Sequence, residues 1–186
     1  NKLAAENKHS KEYAEIVAAL LLFTATGAEL GASAVRLAEK SGNAAVKQGA
    51  KVFGGALRLW SGVLAGSSAM VGTWFDVAEA YDKYRFGKYS ASGVYILRAT
   101  LQLGAASLSI AMGLGSAGAY FDYLIRRYKT RSILNSAINS GARASAALAA
   151  RMVPMLRIFF GVNVFIVAWI LAEIYLLPDA LEDYLD

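Results

Sequence analysis

ATLQLGAASLSIAMGLGSAGAYF, residues Ala99–Phe121, runs for 23 residues without a charge between Arg98 and Asp122. A hydrocarbon core about 30 Å thick is crossed by about 20 apolar residues in a helix, so this stretch is long enough. Ile158–Pro178 reaches the same length, with Glu173 as its one charge. Leu59–Phe75, 17 uncharged residues between Arg58 and Asp76, sits at the short limit. Ile16–Ala28 has 13 residues, too few alone, and a span there needs Glu29 shielded. The expectation is an all-α helical bundle with two to four membrane-length hydrophobic helices.

Composition agrees. Of 186 residues, 56% are hydrophobic and 18% charged, against about 45–50% and about 25% in a typical soluble domain. A disordered chain is excluded. There is no cysteine, so disulfides, thiol nucleophiles and cysteine zinc sites are excluded. His9 is the one histidine, so a Ser-His-Asp triad or a multi-histidine metal site would hang on a single residue. The chain is read as one membrane-active domain, 1–186, and its first residue, Asn, is read as that of a fragment of a longer protein or of a processed product. Ile16–Ala28 is not read as a secretory signal, since Glu6, Glu12 and Glu15 offset Lys2, Lys8 and Lys11 ahead of it. The rival is a soluble helical bundle with one very apolar central helix.

Six helical units are expected, near Ser10–Lys40, Ala44–Tyr84, Ser92–Arg126, Arg131–Met152, Met155–Leu177, and a short acidic tail after Pro178. Gly42 marks the first break, and Pro154 suits an early helical position. Gly27 and Gly31 are four apart, as are Gly62 and Gly66, and Ala105, Ser109, Gly113 and Ala117 form a longer row. Such rows let helix backbones approach closely in lipid. Gly66, Gly104 and Gly113 are the small residues assigned to the span or pore. Trp60 and Trp74 bracket the second apolar section, and Tyr120, Tyr123 and Tyr175 sit near the ends of others, in the manner of an interfacial belt. Trp169 lies inside its span.

Charge is partitioned. Asp122–Arg157 carries Arg126, Arg127, Lys129, Arg131, Arg143, Arg151 and Arg157 against Asp122, a net of +6. Glu173–Asp186 carries five acids and no base. A basic segment after a strong span attracts anionic head groups or sets topology. Nucleic acid is set aside as a partner because membrane-length apolar runs flank the basic stretch.

No catalytic constellation emerges. Asp76, Glu79 and Asp82 fall three apart on one helical face, but neither His nor a metal-ligand pattern accompanies them, and Lys83 and Arg85 follow. They read as a solvated, salt-bridged helix end, grouped with Arg126, Arg127, Lys129 and Arg131 as charged-loop residues. Val52–Gly55 lacks phosphate-loop spacing. No enzyme activity and no cofactor or metal is expected. Glu173 reads either as a polar element inside its span or as the interfacial end of it.

Asp76-Val-Ala-Glu79-Ala-Tyr81-Asp-Lys-Tyr84-Arg-Phe-Gly87-Lys, followed by a small-residue span, resembles the membrane region of VasX-like type VI secretion effectors. The end, Trp169 through Leu177-Pro178-Asp179-Ala180-Leu181-Glu182-Asp183-Tyr184-Leu185, is similar to that family's closing segment. The likeness covers roughly Val52–Asp186. It implies a colicin-like, pore-forming antibacterial domain, secreted and acting in the inner membrane of a target bacterium. It also implies a cognate immunity protein, and the further partners expected are a type VI secretion spike or chaperone and other copies of this chain. Unlike a colicin, the chain has no uninterrupted hairpin of two uncharged helices. The rival readings are an anchoring or translocation domain for a separate toxic domain, and a non-toxic integral membrane subunit.

The basic segment generates a prediction about voltage. Each elementary charge moved across 100 mV gains about 2.3 kcal/mol. A segment this basic, arriving from outside, is pulled inward by an inside-negative potential. Current onset in planar bilayers, with protein added to one side, should be faster at that polarity. Changing Arg126, Arg127, Lys129 and Arg131 to Gln should weaken the dependence. Equal rates at both polarities leave only head-group binding for these bases.

Overall fold

A computed structural model describes residues 2–128 and 132–176, with side chains described for 12–128, 135–168 and 171. Six helices make up the described residues: α1 (Lys2–Ala38), α2 (Ala44–Arg85), α3 (Tyr89–Gly115), α4 (Gly118–Arg127), α5 (Ser132–Ala149) and α6 (Met152–Leu176). No strand occurs among them, so the fold is all-α. Lys129, Arg131 and the acidic tail at 177–186 lie outside the described residues.

Local chemistry sets the turns. Asn43 caps α2, its Oδ1 accepting from the backbone N–H groups of Ala45 at 2.9 Å and Val46 at 3.4 Å. α2 ends where Gly87 takes a φ of 75°, the left-handed conformation that glycine adopts without a Cβ clash. Gly87 N–H donates to the Tyr84 carbonyl and Lys88 N–H to the Lys83 carbonyl, so two carbonyls of the last turn are satisfied and the chain reverses into α3.

α1, α2 and α3 run antiparallel in turn. Ser68 Oγ of α2 donates to the Ala18 carbonyl of α1 at 2.8 Å, and Gly31 of α1 packs against Leu57. Gly54 and its neighbour Gly55 face different partners. A Cβ on Gly54 would meet Val35 and Glu39 of α1, and one on Gly55 would meet Tyr120 and Ser116 at α4. α2 is therefore the central helix, and its glycines let neighbours in on two sides.

Two sequence expectations change here. Ala99–Phe121 is not one helix. α3 stops at Gly115 and α4 begins at Gly118, with Ser116 Oγ turned back onto the Met112 carbonyl. Gly115 is pressed by the α5–α6 elbow, where a Cβ would lie 3.1 Å from Met152 Cε and 3.3 Å from Ala149 N. That contact, and three glycines within six residues, make the break cheap. Phe121 then turns inward on α4 against Ala117 and Ile138, and Gly141 of α5 leaves room for its ring. The second change concerns the first apolar run. Ile16–Ala28 belongs to a continuous helix whose Glu12–Ala38 portion is long and apolar enough to cross a membrane. Glu29 is exposed on it rather than shielded.

Tyr89–Gly115 is the other helix that meets that length and composition. α2, which holds Leu59–Phe75, does not join them. α5 and α6 meet at 75° across Ala150–Arg151, and Asn135–Ala149 with Met152–Ala168 count as a third span if the bent pair is taken as one. α6 starts at Met152, before Pro154, which occupies its first turn.

Glycines at the α2–α3 contact should tolerate least. A Cβ on Gly62 would fall 2.8 Å from the Gly113 Cα, and one on Gly66 2.9 Å from the Ala106 carbonyl. Gly62→Leu, Gly66→Leu and Gly113→Leu should each cost about 2 kcal/mol or more, read as a lowered unfolding midpoint in detergent. Gly104 has open space at its Cβ, so Gly104→Ala should be neutral or stabilising by up to about 1 kcal/mol from helix propensity.

Candidate functional site: the α2–α3 seam

α2 and α3 meet along a seam of small residues spaced by sevens. On α3 these are Ser92, Ala99, Ala106 and Gly113, all buried. On α2, Gly62 and Asp76 are buried fourteen residues apart, two such repeats, and Gly66 and Ala80, again fourteen apart, lie beside them. A seven-residue repeat keeps one face of each helix turned to its partner when the pair coils left-handed. Gly62 faces Gly113, Gly66 faces Ile110, Gly72 faces Gln102, Asp76 pairs with Arg98, and Ser92 Oγ donates to the Ala80 carbonyl at 2.8 Å.

The seam is apolar and backbone-tight at one end and polar at the other. Arg98 Nε lies 3.2 Å from Asp76 Oδ2, close enough to pair as charges but not aligned as a hydrogen bond. Asp76 is 8% exposed. Gln102 is the middle residue of Tyr89–Gly115, and its buried Oε1 lies 2.9 Å from where a Gly72 Cβ would stand. A cation, Arg98, and an amide, Gln102, thus sit within a helix of membrane-spanning length, both turned to α2. Charged groups at that depth are costly unless they face such an interior.

The residues singled out in the sequence divide accordingly. Gly66 and Gly113 lie in the seam, whereas Gly104 faces open space. Asp76 is not on a solvated helix end. It is buried in α2, more than two turns before Arg85. Glu79, also on α2 rather than in a loop, lies 3.9 Å from Lys83. Trp60 and Trp74 are exposed on the outer surface of α2, Trp74 to 73%. Arg126 and Arg127 form the exposed last turn of α4. Trp169 and Glu173 fall on α6 where only the backbone is described. Of the row Ala105, Ser109, Gly113 and Ala117, the first three are on α3 and Ala117 caps α4. The four-residue spacing identified that row, while the seven-residue spacing that defines the seam was the signal left unread. In the sequence alone, Arg98 reads only as a span boundary and Gln102 as one polar residue in an apolar run.

No protein-family model, curated protein or solved structure matches the chain.

The ion pair makes a testable contribution. Breaking a buried pair by removing one partner costs about 3–5 kcal/mol, and Arg98, about one-third exposed, lowers that figure by solvent screening. Asp76→Asn and Arg98→Gln should each lower stability in detergent by about 1–2 kcal/mol. The double variant should lose less than the two singles together. Additive losses would mean that the two side chains are not coupled.

Proposed function

We propose that this chain is a pore-forming domain that inserts in a bilayer and makes it permeable to ions. The observation that carries this reading is the placement of large side chains. Buried positions are held almost wholly by Ala, Gly and Ser, with Phe121 and Ile138 as the large exceptions. Phe23, Leu30, Trp74 and Phe160 are each at least 68% exposed. In water, exposed apolar surface on that scale drives association. In lipid, large apolar side chains have nothing to gain by turning inward, and small residues at helix contacts are the expected arrangement.

Topology adds an orientation. The antiparallel order brings Arg36, Lys40, Lys47, Lys51, Arg126, Arg127, Arg143 and Arg151 to the end where α3 finishes, against Glu39 and Asp122. Glu12, Glu15, Asp76, Glu79 and Asp82 gather toward the other end, with Lys83, Arg85, Lys88 and Arg98. Cytoplasmic loops carry excess Lys and Arg, so the strongly basic end faces the cytoplasm. The motifs at Asp76–Lys88 and at the chain's end support a colicin-like antibacterial role. In that role the domain is exported by a type VI system, acts at the inner membrane of a target cell and is neutralised by an immunity protein. No catalytic step is required. The inverted packing serves an anchoring or translocation domain as well, and electrical current separates that reading from the pore.

Expression with a periplasmic signal should collapse the membrane potential, read by a voltage-sensitive dye, before viability falls. Purified protein should carry current across planar bilayers. Death with an intact potential and degraded nucleic acid, lipid or peptidoglycan would overturn the proposal.

A further inference from the structure

α1 carries a polar stripe that no feature so far explains. Thr26, Glu29, Ser33 and Arg36 are all exposed, and Glu15 lies on the same line one stretch earlier, beyond the apolar Ala18 and Leu22. At 100° per residue they fall within about a quarter of the helix circumference. Lys40, in the turn that follows, continues the line. The stripe is distinct from the face packed on α2, where Ala25 and Ala32 are buried and Gly31 meets Leu57. It is also distinct from the apolar face of Phe23 and Leu30, exposed to 79% and 68%. Thr26 Oγ1 donates to the Leu22 carbonyl within its own helix. Glu29 makes no ion pair with a described residue. It lies four residues past the midpoint of Glu12–Ala38, well inside the membrane-length portion.

An ionisable side chain at that depth faces a polar interior or water and not acyl chains. α2 does not supply that interior, since it covers another face. The contact between α2 and α3 does not supply it either, because their backbones touch at Gly62 and Gly113. We propose that the stripe lines the aqueous path of the pore, between copies of this chain, and that the Glu29 carboxylate gives the path a preference for hydrated monovalent cations. The inference rests on the pore reading. Charge complementarity identifies the occupant. Glu29 is the one charged group near mid-span on this face, and Arg36 and Lys40 lie seven and eleven residues on, toward the basic end. Cations gain from a carboxylate in the narrow, weakly screened section, and anions lose there.

Planar bilayers with a potassium chloride gradient test this with the whole chain. The wild-type reversal potential should lie on the cation side. Glu29→Gln should cut the cation-to-anion permeability ratio about fivefold, the size of one unit charge acting at ion-contact distance in a watery pore. Glu29→Lys should invert the preference. Asp82→Asn, an exposed acid near the α2–α3 turn, should leave it unchanged. The chain has no native cysteine, so single substitutions give a second measurement on a clean background. Thr26→Cys and Ser33→Cys should react with a charged, membrane-impermeant thiosulfonate and lose current. Phe23→Cys and Leu30→Cys, on the apolar face, should not. Current with unchanged selectivity in both Glu29 variants, and equal reactivity on both faces, overturns the lining while leaving the pore. No current from wild-type protein in any bilayer overturns both.

Discussion

The approach of α2 to α3 at Gly62 and Gly113 is the constraint from which the rest of the packing follows. A Cβ on either glycine would stand within 3.0 Å of the opposing backbone. Helices that close leave no space between them for leucine or phenylalanine at Gly62 and Gly113, and a large side chain such as Ile110 enters the seam only opposite another glycine, Gly66. Each glycine inside a helix costs about 1 kcal/mol relative to alanine, and α2 carries six between Gly49 and Gly72. That cost is offset by dispersion contacts along the seam and by carbonyls that meet a neighbouring helix. The same closeness lets the short side chain of Ser92 reach the Ala80 carbonyl and that of Asp76 reach Arg98.

Register along the seam is doubly specified. Small residues permit sliding, since one alanine resembles the next. The Asp76–Arg98 pair does not, because a shift of one turn leaves two partly buried charges apart. The apolar end of the seam thus supplies proximity, and the polar end supplies position. The α1–α2 contact is built in the same style, with Gly31, Ala32 and a hydroxyl-to-carbonyl bond from Ser68 to Ala18. One packing rule therefore serves the three long helices, and the large side chains left outside form the surface offered to lipid in the proposed state.

At the end where α3 finishes the style changes. α4 and α5 enclose Phe121 and Ile138 with Ala117 in a small conventional core. The α5–α6 elbow seats Met152 and Ala149 on Gly115. This cluster turns the chain through the α3–α4 break and the 75° bend after α5. It also holds Arg126, Arg127, Arg143 and Arg151 at one end of the molecule.

Much of the fold was legible in the residue order. Helix content and the Gly42 break follow from propensity, apolar run length and turn chemistry, all properties of a residue and its near neighbours. Gly62, Gly66 and Gly113 were legible as contacts because small residues recur at helical spacing. Three features were decided by tertiary structure. The uncharged run Ala99–Phe121 is divided because an elbow more than thirty residues away presses on Gly115. Asp76 is buried rather than solvated because Arg98, 22 residues on, returns beside it once α3 folds back. Glu29 is left uncovered because α2 lies against a neighbouring face of α1, the one carrying Ala25 and Ala32. In each case the outcome depends on which face of a helix meets a distant segment. Residue order sets what each face carries, and only the crossing of whole helices sets which face is covered.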